Sequence, residues 1–293
     1  IQYKKRTILN EQRKAMTMVL TTDQLDEINA LEEKLELKEF PKSNYWLVGH
    51  DFMRNGYHVK LAIDSFKRGA EIDGCISCII FFCELEHGSN KLHLSLPWII
   101  ECAIRGHTPI TEKLIAFYGQ TKPAQSLALS SFWLKALIES GSAEGSEENR
   151  KEVKKNTVNF CITCGKEASK DVTLVKCGIC KHYSYCGKDC QTCHWQEGNH
   201  IAECRQVMIL RKYFKPRYAQ EIREAIVRGD DPTTIERLQT LRTMLGLSRP
   251  KEEYEELVLR LGDSDDITIQ ARYEYLTARK DGTVYIGSTP EAM

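Results

Sequence analysis

No apolar run in the 293 residues approaches the ~18–20 that a helix needs to cross a bilayer. The basic start (Lys4, Lys5, Arg6, Arg13, Lys14) lacks the apolar core and small-residue cleavage site of a secretory signal. It is expected to be the solvated end of a helix rather than the remnant of a transit segment. Net charge is missing too: 41 Lys and Arg balance 41 Asp and Glu, which argues against a dedicated nucleic-acid binder. Absent as well are a Walker phosphate loop, a Gly-x-Gly-x-x-Gly turn, a Gly-x-Ser-x-Gly elbow and a His-Glu-x-x-His pair. With no catalytic signature, the chain is expected not to be an enzyme. Its 42% hydrophobic and 28% charged residues are ordinary for a globular protein and too apolar for a disordered one.

Cysteine is abundant and unevenly placed. Of twelve, eight lie between Cys161 and Cys204, while Cys75, Cys78, Cys83 and Cys102 sit in an apolar helical stretch upstream. A secreted disulfide framework is usually a short, loop-rich chain behind a signal peptide. Metal ligation in a reducing intracellular compartment is therefore the expectation, with cytosol, nucleus and an imported organelle all open. From Arg150 to Arg217, fourteen Lys and Arg face six Asp and Glu, an excess of +8 that offsets thiolate charge and can also attract acidic partners.

The chain reads as mainly α. Residues 1–42 form an N-terminal helical segment in which Leu25, Ile28, Leu31 and Leu35 recur at helical spacing before Pro41. Residues 43–141 carry a weak repeat: Gly56, Gly88 and Gly119 lie 32 and 31 residues apart, and Phe66–Gly74 aligns with Trp98–Gly106, again 32 apart. Trp133–Gly141 closes the same way after a 35-residue step. A period in the low thirties with a glycine closing each helix suits stacked helix pairs. This stretch resembles the tetratricopeptide superfamily, especially its Sel-one-like branch, through Gly69-Ala70; an unrelated helical bundle is the alternative. Residues 142–158 read as a linker, 159–205 as a finger and 206–293 as a helical region. There Tyr218–Val227 ends at Gly229, Asp231-Pro232 opens a helix to Leu245, and Ser248-Arg-Pro-Lys-Glu-Glu253 opens another. Asp281-Gly282 marks a possible terminal β-hairpin.

The cysteine block runs Cys161-x2-Cys164, Cys177-x2-Cys180, Cys186-x3-Cys190 and His200-x3-Cys204. Zinc takes four thiolate or imidazole ligands in a tetrahedron, so four pairs in series imply two ions. The run Tyr185-Cys-Gly-Lys-Asp-Cys-Gln191, then His194-Trp195, then His200-x3-Cys204, resembles the MYND finger family. That resemblance implies a cross-brace: Cys161, Cys164, Cys186 and Cys190 on one zinc, Cys177, Cys180, His200 and Cys204 on the other. Four residues separate Trp195 from His200, more than is usual in the family, which bears on the local helix register. Cys193, His182 and His194 are expected to be a spare thiol and packed imidazoles. Cys75-x2-Cys78 with Cys83 imitates a redox or metal motif, but is read as small core residues of an apolar helix.

Sites closed by four protein ligands leave no position for substrate. The expected function is a protein-interaction adaptor, with the helical repeats as a second binding surface. By resemblance, the finger would take short proline-containing peptides as an added strand, with Ser184 and Tyr185 on the strand and Gln191 and Trp195 lining the groove. The alternative is a subunit of a larger complex in which finger and repeats are only structural. MYND fingers also accompany SET-type methyltransferases, but the one Asn-His here, Asn199-His200, is already assigned to zinc. They also precede iron hydroxylases, whose His-x-Asp/Glu pair is missing. Nucleic-acid binding through Lys151, Lys154 and Lys155 is a minor alternative, since few aromatics interleave there.

Overall fold

The computed structural model describes residues 30, 33, 37–56, 58–87, 92–119, 126–140, 160–196, 200–247, 254–260, 273–279 and 284–286. The expected N-terminal helix and the linker at 142–158 lie outside them. The chain forms two compact units, 1–88 and 89–293, so the finger falls in the same unit as the helices that flank it in sequence.

In the first unit, α1 (Asn44–Gly56) and α2 (Val59–Ile72) pack as a hairpin, and α2 packs on α3 (Ile76–Phe82), which runs on into a π-helical turn at Cys83–His87. The interface depends on small residues. A Cβ on Gly49 would stand 2.5 Å from the Phe66 ring, and one on Gly69 only 2.4 Å from Cys78 Sγ. Phe66 and Phe81 rings meet at 5.3 Å in the core.

The second unit begins with α4 (Leu92–Ile104), α5 (Thr108–Gly119) and α6 (Leu127–Glu139), each packed on the next. The helices Asn44, Ile76 and Thr108 start 32 residues apart, the spacing read from the glycines. Gly106 turns the chain between α4 and α5 at φ +77, and a Cβ there would meet Ala219 O at 2.6 Å. Beyond the finger run α8 (His200–Tyr213), α9 (Pro216–Val227) and α10 (Glu236–Met244), the last after a 3-10 turn capped by Asp231. Glu101 on α4 is buried and bridges Arg105, at 2.9 Å, and Arg242 of α10, at 3.0 Å. Leu96, Ile100, Leu129, Trp133, Val207, Leu210 and Leu238 fill the interior between these helices.

The helical reading holds to Leu247 and then needs correction. Instead of a helix entered at Ser248, Tyr254–Arg260 is strand β3, paired antiparallel with β4 (Tyr273–Arg279) from Tyr254↔Arg279 to Arg260↔Tyr273. The apparent helix start is a local signal, and pairing with a distant segment overrides it. The hairpin expected around Asp281-Gly282 is present as β4 and β5 (Val284–Ile286), in register Ala278↔Val284.

Candidate metal centre

Two tight turns begin the finger. Cys161 O accepts from Gly165 N at 2.8 Å and Cys161 N donates to Lys166 O at 2.7 Å. The second turn repeats the pattern: Lys181 N donates to Cys177 O at 3.1 Å, and Cys177 N to Tyr183 O at 2.8 Å. Gly165 and Lys181 occupy equivalent places with φ +74 and +59. Each turn aims two sulfurs at one point. The second turn is the tip of a two-stranded sheet, β1 (Val175–Lys176) on β2 (Ser184–Tyr185), which brings Cys186 towards the first turn, while α7 (Lys188–Gln196) carries Cys190. The start of α8 supplies His200 and Cys204 on one helical face.

The donor atoms of Cys161, Cys164, Cys186 and Cys190 lie within 4.8 Å of one another, as do those of Cys177, Cys180, His200 and Cys204. Tetrahedral zinc, with Zn–S about 2.3 Å and Zn–N about 2.0 Å, calls for S···S edges of about 3.7 Å and S···N edges of about 3.5 Å. The observed separations are 3.5 Å for Cys164–Cys186, 3.6 Å for Cys186–Cys190 and 3.8 Å for Cys177–Cys204. His200 Nε2 stands 3.5 Å from both Cys177 and Cys180 sulfurs. The residues fit two zinc ions in the alternating pairing expected of a cross-brace. Hydrogen bonds from Cys204 and His200 hold the Cys180 thiol down at about 3. At Cys161, burial is outweighed by backbone N–H groups of Cys164, Cys186 and Thr163, leaving the thiol near 6. These two are the thiolates of their clusters, while the hydrogen bonds shared with fellow ligands push Cys186, Cys190 and Cys204 up.

Of the other candidates, His182, His194 and Cys193 join neither cluster. His194 lies flat on His200, with ring centres 4.7 Å apart, and its Nδ1 meets Tyr185 OH at 2.9 Å. Burial, then the neighbouring His200, hold its pKa below the usual histidine value. His182 accepts from Arg211 at 3.2 Å.

Three residues essential to the site escaped the motif reading. His200 Nδ1 donates to Glu203 Oε2 at 2.6 Å, which leaves Nε2 bare for metal. Glu203 Oε1 accepts from Tyr183 OH at 2.6 Å and from Ser126 Oγ at 2.5 Å. Ser126 is also the N-cap of α6, accepting from Leu129 N at 3.2 Å. All four residues of this network are buried. Burial and the Glu203 charge push the Tyr183 phenol well up, so it stays a donor. The signal available in sequence was a carboxylate one helical turn after a ligand histidine, His200-x2-Glu203; nothing local pointed to Ser126.

Residues 161–204 match the family model of the MYND finger. This segment is a MYND-type zinc finger, a zinc-binding domain for protein interaction. No curated protein and no solved structure matches the chain.

Of the four expected peptide contacts, Ser184 and Tyr185 are only 2% and 1% exposed, backbone included. Ser184 O already accepts from Ile162 N at 3.0 Å. The exposed edge of the hairpin is β1, where Val175 is 62% exposed. Gln191 and Trp195 are half-buried on α7, and the Trp195 ring stands edge-on to His200 at 5.6 Å. Among the described residues, no helix is long and apolar enough to cross a membrane.

Proposed function

We propose that the chain is a non-enzymatic adaptor whose MYND finger binds short proline-containing peptides, with the repeating helix pairs, read as tetratricopeptide-like, as a second protein-binding surface. The observation that carries this reading is the closure of both metal sites. Each gathers four protein donors, so a bound zinc has no place for water or substrate and acts through folding alone. What the finger then offers a partner is surface: the short hairpin for main-chain pairing and α7 beside it, with Gln191 and the partly open Trp195 ring for side-chain choice.

Trp195→Ala tests the groove. With zinc content held at two per chain, loss of an anchoring indole should weaken binding to proline-containing peptides by roughly 2 kcal/mol, about thirtyfold in Kd. Unchanged affinity in titration calorimetry, at full zinc content, would mean that Trp195 only packs on His200 and that the groove lies elsewhere.

A further inference from the structure

Four cysteines stand outside the finger, and two of them form a pair with unlike halves. Cys75 is the N-cap of α3, in extended conformation (φ −66, ψ 118), and Cys78 follows in the first turn. In a helical first turn, positions three apart have Cα atoms about 5 Å from each other, inside the ~4.4–6.8 Å range that a disulfide spans. The two sulfurs lie close enough for each to set the other's acidity. Both face the residues that lead into α1: the Cys75 thiol donates to Pro41 O at 3.7 Å, and Cys78 Sγ is 3.4 Å from Ser43 Oγ. Lys42 Nζ donates to Ser77 Oγ at 2.9 Å, placing a cation over the intervening residues.

The asymmetry lies in access. Cys78 is wholly enclosed, pressed against the space that Gly69 leaves open, whereas Cys75 keeps 7% exposure at the start of the helix. We propose that Cys75 and Cys78 form a redox-active dithiol, with Cys75 as the attacking sulfur, Cys78 as the resolving one, and a hydroperoxide as oxidant. The Cys75 thiolate attacks the nearer peroxide oxygen, an S–O bond forms as the O–O bond breaks, and the leaving oxygen takes a proton. The Cys78 sulfur then attacks Cys75, the S–S bond forms, the S–O bond breaks, and water leaves with the Cys78 proton. Two thiols are oxidised by two electrons and one hydroperoxide is reduced to an alcohol, or to water, plus water. The environment fits these roles: the neighbouring Cys78 thiol holds Cys75 down at about 6 against the opposing effect of burial, and Cys75 together with burial pushes Cys78 up. A metal site is the poorer account, because among the described residues no cluster of three or more ligand atoms includes either sulfur.

The test uses the full zinc-loaded chain and hydrogen peroxide at one equivalent. Thiols are then blocked under denaturing conditions and mapped by mass spectrometry, with zinc counted by native mass spectrometry. The expected result is a Cys75–Cys78 disulfide, seen as loss of two hydrogens, forming about tenfold faster than oxidation of Cys83 or Cys102. Both zinc ions should still be bound. In Cys78→Ser the reaction should stop at a Cys75 sulfenic acid that dimedone traps. Recovery of Cys75 and Cys78 as free thiols after the zinc ligands have oxidised would overturn the proposal, as would their oxidation at the same rate as Cys83 and Cys102. The wild-type map decides this by itself if Cys78→Ser fails to fold.

Discussion

The two metal sites of the finger use nearly the same ligands and are embedded differently. The first, Cys161, Cys164, Cys186 and Cys190, lies at the rim: Cys164 is exposed, and Cys186 and Cys190 are half-exposed. The second, Cys177, Cys180, His200 and Cys204, is buried throughout. The cause is the helix that carries its last two ligands. Beyond Cys204, α8 buries Val207 and Leu210, and just past its end the buried Phe214 ring meets Trp133 of α6 at 5.2 Å. Through Glu203, the second site is also tied by hydrogen bonds to the cap of α6. One zinc therefore closes the outer part of the finger, and the other joins the finger to the helices.

The contrast is sharpest when each site is removed in turn. His200→Ala should release the second zinc and cost the whole unit its folded state. Structural zinc contributes about 10–16 kcal/mol in isolated fingers, as much as a domain's entire stability of about 5–15 kcal/mol. Circular dichroism should show loss of helix well beyond the finger. Cys164→Ser should also leave one zinc, but with the helical signal kept and faster amide exchange confined to residues around Cys161, Cys186 and Cys190. Equal helix loss in the two variants would break the comparison.

Smaller effects trace the connection itself. Glu203→Ala strands three buried donors, on Ser126, Tyr183 and His200, at roughly 1–3 kcal/mol for each group left unpaired. It should also weaken zinc at the second site by about 10–100-fold while the first is unchanged, as competition with a chromogenic chelator would show. Ser126→Ala removes the cap of α6 and one donor to Glu203. About 1 kcal/mol of unit stability should go, read in urea unfolding, with both zinc ions retained.

How much of this was legible depends on how local each signal is. Ligand pairs are written as spacings of two or three residues, so all eight could be assigned from sequence. The hairpin at Asp281-Gly282 was equally local, a turn whose residue types suit few alternatives. Glu203 looks like one more surface charge until α8 places it a turn from His200 and against Ser126, 77 residues away in the chain. Strand β3 failed for the same reason. Ser248-Arg-Pro250 reads as a helix entrance, and only pairing with Tyr273–Arg279 makes Tyr254–Arg260 a strand. Glycine spacing anticipated the 32-residue helix period through Gly74 and Gly106, 32 apart, whose φ of +59 and +77 is the left-handed conformation that favours glycine.

The most direct test of the account is stepwise zinc removal followed by hydrogen exchange. Chelator is titrated into the two-zinc protein, native mass spectrometry counts the ions, and amide exchange is read at α6 and α8 in each state. The account predicts that the first zinc to leave comes from the rim site, with α6 and α8 as protected as before. Departure of the second should then coincide with loss of protection at Leu127–Glu139 and His200–Tyr213. If both ions leave with these helices still protected, the buried site does not join finger to helices, and the central claim is wrong.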